Sequence, residues 1–98
     1  MISGEARKMR RFGLNCYRRY VGLDLRLVEV VRRGQIAPGH LRPKLRRDYI
    51  LLRNDLGNAL TGARWVAGEL SGDDLCFYQA RCAAIDSQHL KDIFGGEA

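Results

Sequence analysis

The sequence predicts an all-α fold: a three-helix bundle built on a long antiparallel helical hairpin. Two observations carry this. Two long stretches, about 5–33 and 44–70, place apolar residues at alternating steps of three and four, the seam of a helix packed along another helix. Neither shows the period-two alternation of a strand. A third observation sets the hairpin: both prolines, Pro38 and Pro43, sit together in "GQIAPGHLRP" between the two stretches.

The first element carries Met9, Gly13, Cys16, Tyr20, Leu23, Leu27 and Val30 on its seam. The turn segment spans about ten residues, a length that folds the second element back on the first. The second element repeats the spacing through Leu45, Tyr49, Leu52, Leu56, Ala59, Ala63, Val66 and Leu70. Ala59, Ala63 and Ala67 let a partner helix approach closely. Gly57, Gly62 and Gly68 weaken it, each costing about 1 kcal/mol relative to Ala, so a break near "GNALTG" is the competing reading. Leu27 and Leu56 are expected to be buried between the two helices. The third element follows "ELSGDDL", where Ser71 and Asp74 have capping-box spacing. It is expected to run over about 73–94, with Leu75, Tyr78, Cys82, Ile85 and His89 on one face. Tyr17, Tyr20, Tyr49 and Tyr78 read as packing residues whose hydroxyls reach the surface.

At 98 residues the chain is long enough for one domain, spanning 1–98. A chain of this size buries roughly 60–65% of its unfolded surface, so self-association is a cheap source of further burial. The bundle is therefore read as complete in itself or completed by a second copy. No apolar run approaches the roughly 18 residues of a membrane span, and the N-terminus shows no signal-peptide core. The three cysteines, an odd number in no scaffold spacing, read as reduced thiols in the cytoplasm.

Charge is divided unevenly. Residues 1–53 hold 14 Lys and Arg against 4 Asp and Glu, while residues 54–98 hold 3 against 7. Fourteen of the 17 bases are Arg, whose planar fork suits phosphate and carboxylate; an Arg-rich codon bias is the alternative cause. At about 100° per residue, Arg11, Arg18, Arg19, Arg26 and Arg33 gather with Lys8 opposite the seam of the first helix. Arg7 and Arg32 flank them. A rigid row of Arg suits a regular row of phosphates; the competing reading is a solvated face. Arg42, Lys44, Arg46 and Arg47 extend the positive surface beside the turn, where bases near a helix end are also favoured by its dipole.

A second apolar line on the first helix, Leu14, Val21 and Val28, implies a second neighbour: the third helix or another copy. Trp65 lies off the seam of the second helix, in line with Leu51, Asn54 and Asn58. It reads as an interface anchor unless the third helix covers it. No catalytic triad, P-loop or dinucleotide glycine motif is present, and Cys82 with His89 make two ligands where zinc needs four. The reading is a non-enzymatic protein without metal or cofactor. The leading function is nucleic-acid binding, DNA or RNA, directed at the backbone within a larger complex. The rival is an adaptor or inhibitor whose basic face meets an acidic protein surface.

Overall fold

The computed structural model describes residues 4–95. They form helices α1 (Gly4–Ile36), α2 (Arg42–Glu69), α3 (Gly72–Ile85) and α4 (Leu90–Phe94), with a single 3-10 turn at Gly39–Leu41. No strand occurs among the described residues. The chain is all-α.

Both long helices exceed their expected bounds at the turn. Pro43 lies inside the first turn of α2 rather than before it. There the missing N–H has no helical partner to lose, so proline starts the helix instead of blocking it. The connection accordingly shrinks from ten residues to Ala37, Pro38 and the 3-10 turn, which the Leu41 N–H closes onto the Pro38 carbonyl at 3.0 Å. α2 runs unbroken through "GNALTG".

α1 and α2 make the most extensive contact of the fold. Their meeting points run in opposite order along the two helices: Gly13 against Val66, Cys16 against Gly62, Arg19 against Asp55, Val30 and Val31 beside Leu45 and Tyr49. Two glycines let the backbones close in. A Cβ on Gly62 would stand 2.6 Å from Cys16 Sγ, and one on Gly13 2.7 Å from the Tyr78 hydroxyl and 2.8 Å from Val66 Cγ1.

The expected third helix is two helices. Asp86 leaves α3 with extended backbone, and its Oδ1 accepts from the Gln88 and His89 N–H groups at 2.8 and 3.1 Å. Asp is a strong competitor for backbone donors and so favours such stops. The break swings Leu90 and Ile93 into the core. Ser71 precedes α3 in extended conformation as expected of a cap, but its side chain makes no capping bond.

The core occupies one end of the molecule. It joins Tyr17, Tyr20 and Leu23 of α1, Ala59, Ala63 and Val66 of α2, and Tyr78, Cys82, Leu90 and Ile93 beyond them. Three tyrosine hydroxyls end inside the protein, not at the surface. Tyr17 donates to the Asp86 carbonyl, Tyr20 to Asp92 Oδ2 at 2.5 Å, and Tyr78 to the Ala63 carbonyl at 3.0 Å. Burial foremost, then the acids beside them, hold Tyr17 and Tyr20 well above the ordinary tyrosine range, so both remain donors. Leu27 and Leu56 are only half-buried: Leu56 packs against the edge of the core, whereas Leu27 lies where the pair projects beyond it. The result is long, 58 × 24 × 17 Å, with a radius of gyration of 16.1 Å. A compact chain of this length would give about 13 Å.

Candidate functional site

All nine bases expected to touch nucleic acid are exposed, but α1 divides its share of them into two branches. On the α2 side, Arg19 stands 3.8 Å from Asp55. Arg26 and Arg33 line a groove with Glu29, Asp48, Leu51 and Leu52. Arg33 Nε donates to Glu29 at 3.3 Å, and Arg32 lies 3.9 Å from the same carboxylate. This branch is partly answered by acids of its own chain. Such exposed pairs contribute little to stability, yet they lower the positive potential a ligand meets.

On the α3 side the arginines face other arginines. Arg11 and Arg18 share a groove with Arg7, Arg10 and Arg81, lined also by Leu14 and Phe77. Arg10 is 7% exposed, its guanidinium carbon 4.4 Å from the centre of the Phe77 ring. Arg7, Arg10, Arg81 and Phe77 were not among the expected site residues. One signal was available: Arg10 continues the apolar line of Leu14 and Val21, together with Tyr17, one turn earlier. An arginine in a buried line demands a partner.

Beside the turn, Arg42 and Arg46 flank an apolar groove of Val30, Val31, Leu45 and Tyr49. Lys44 borders another with Ile36, Pro38 and Leu41. Arg47 is exposed. The turn cluster therefore surrounds uncovered apolar surface.

The expected interface residues separate as well. Leu14 and Val21 are half-buried against the core, so the line they share with Val28 does meet a neighbour. Val28 lies beyond it and is 53% exposed. Trp65 is not covered by α3: it is 52% exposed and meets Phe12 edge to face at 6.3 Å. Leu51, Asn54 and Asn58 are exposed on the same helix.

Comparison with protein-family models, curated proteins and solved structures found no match. One further polar cluster ties α1 to the α3–α4 break. His89 Nε2 lies 2.9 Å from Asp24 Oδ2, and Nδ1 lies 3.0 Å from Asp86 Oδ1 without the alignment of a hydrogen bond. Burial pulls the imidazole down, but Asp24 and Asp86 outweigh it and hold its pKa above the ordinary 6.5. The cluster docks one segment on another, with Tyr20 packed edge-on against the ring at 5.7 Å. Cys82 is buried, and burial pushes its thiol up to about 11, far from a reactive thiolate. Among the described residues, no three His, Cys, Asp or Glu side chains gather where they could hold a metal ion. No described helix is long and apolar enough to cross a membrane.

Proposed function

We propose that this chain is a non-catalytic nucleic-acid-binding subunit that contacts the phosphate backbone through the arginine face of α1. The observation that supports it is the α3-side branch. Arg11 and Arg18 are exposed, and among the described residues no acid lies within ion-pair distance of either. Arg26 and the turn cluster, Arg42, Lys44, Arg46 and Arg47, extend the surface. Recognition of this kind is weakly sequence-specific, because phosphates carry no sequence information. In the same proposal, α1 and α2 act as an antiparallel hairpin that α3 and α4 complete at one end and a second copy or partner completes at the other. The three free cysteines fit a reducing cytoplasm.

The test is a salt titration of binding to duplex DNA. Each phosphate contact contributes a log–log slope of about −0.9. Replacing Arg11, Arg18 and Arg26 together by Gln keeps helix propensity nearly unchanged and should flatten the slope by about two to three units, almost equally for unrelated sequences. Absence of wild-type binding at low salt sinks the proposal, as does an unchanged slope in the triple variant.

A second reading has its own observation. The exposed Phe12–Trp65 pair is an aromatic anchor on the side away from α3, as an adaptor meeting a protein partner requires. It gains if nucleic acid fails to bind and Trp65→Ala abolishes capture of that partner.

A further inference from the structure

The groove between α1 and α3 holds about 390 Å³ and is walled by Arg7, Arg10, Arg11, Arg18 and Arg81. Against these five charges, Asp74 is the one acid paired with any of them among the described residues, at 3.9 Å from Arg10 Nε. That separation is too long for a hydrogen bond. Arg10 Nε and Asp74 Oδ1 are both buried, and neither has a hydrogen-bond partner among the described residues. A buried guanidinium left short of acceptors is costly, and four further arginines around it raise the cost. Folding alone gives no reason to assemble them.

We propose that this groove is a binding site for a phosphate group, with Arg10 as its fixed donor and Arg7, Arg11, Arg18 and Arg81 closing around it. The chemistry fits in three respects. Arginine forks match phosphate oxygens in bidentate fashion. Arg10 is immobilised over Phe77, so little side-chain freedom is lost when it binds. A balance of five bases against one acid suits a multiply charged phosphate better than a single carboxylate. The groove also exceeds the size of one phosphate, leaving room for the sugar or ester attached to it. The proposal rests on the nucleic-acid reading only for the source of the phosphate. A backbone phosphodiester and a free phosphate ester share this chemistry, and the two arms of the test separate them.

The first arm follows the Arg10 Nε–H resonance by NMR during titration with sodium pyrophosphate at constant ionic strength. The signal should move saturably at millimolar pyrophosphate. In the double variant Arg7→Gln, Arg81→Gln, both exposed positions outside the core, the affinity should fall about tenfold or more. In the variant Arg26→Gln, Arg33→Gln on the other branch it should change less than about twofold. An unmoved Arg10 signal, or equal affinity in all three proteins, overturns the site whatever nucleic acid does. The second arm measures a fluorescent DNA duplex by anisotropy. If Arg7→Gln, Arg81→Gln flattens its salt slope by about two contacts, the backbone is the source. If pyrophosphate fills the groove while the duplex binds nowhere, the site stands with a free phosphate ester as its ligand, and the nucleic-acid reading alone fails.

Discussion

Gly13 and Gly22 show how one missing methyl acquires opposite meanings on one helix. Around Gly13 the neighbours are Tyr78 and Val66, both fully buried and unable to yield. Gly13→Ala should therefore overpack the core and cost roughly 1–3 kcal/mol in urea denaturation. Around Gly22 nothing lies within 4 Å of an added Cβ, so Gly22→Ala should gain up to about 1 kcal/mol through helix propensity. Equal effects at the two sites would mean that the α1–α2–α3 junction is not packed this way. The seam spacing already put Gly13 against a partner helix, since steps of three and four single it out without knowledge of what it meets. The Arg10 environment was not legible in the same way. Its partners Asp74 and Phe77 lie more than sixty residues along the chain, and a period on one helix says which side is covered but not by what. Asp55 beside Arg19 escaped reading for the same reason, and with it the division of the arginine face into two branches.

At the scale of elements, the short α4 depends on how α3 ends. A face of Tyr78, Cys82, Ile85 and His89 is continuous on a straight helix, which is why the sequence suggests one element over 73–94. The stop was visible only as Asp86-Ser87, two residues that favour helix starts wherever they stand. Asp86→Ala removes the acceptor of two backbone N–H groups and one partner of His89. A cost of roughly 1–2 kcal/mol is expected from the cap, with faster amide exchange confined to α4. The same junction carries a pH dependence. His89 has its folded pKa raised above 6.5, so its contribution is fully present below 6.5 and is lost as pH rises through the folded value. Asp86 is held below its ordinary 3.8, foremost by the His89 imidazole 3.0 Å away, so its contribution is present above 3.8 and is lost as pH falls through its lowered value. Docking of α3–α4 is thus strongest between these limits. The melting temperature should decline from pH 6 toward pH 8, and His89→Gln should remove that decline. A slope that persists in the variant would assign the effect to another group.

Over the whole molecule, packing is lopsided, and this bears on assembly. The core end buries most of its apolar residues, Phe12, Trp65 and Phe77 excepted, whereas Leu25, Val28, Val31, Ile50 and Leu51 all stay exposed along the projecting pair. The groove of Val31, Leu45 and Tyr49 lies on the side of the pair where α3 and α4 pack farther along, so what covers it extends an existing layer. Two such arms laid side by side form a four-helix layer, and a second copy is the occupant this shape favours. Charge opposes it: residues 24–55 carry eight bases against four acids. Like-charged arms repel at low salt, and screening relieves the repulsion within a Debye length of about 10 Å at 0.1 M. Self-association should therefore strengthen with salt, whereas binding to nucleic acid weakens with it. Light scattering across a salt series should show a species larger than 11.1 kDa whose share grows with ionic strength. Val28→Ser with Ile50→Ser should return it to a monomer while leaving the Arg11 and Arg18 groove intact. An 11.1 kDa species at every salt concentration would exclude the second copy. The exposed arm would then have to be covered by a different chain, and its eight bases would favour an acidic one.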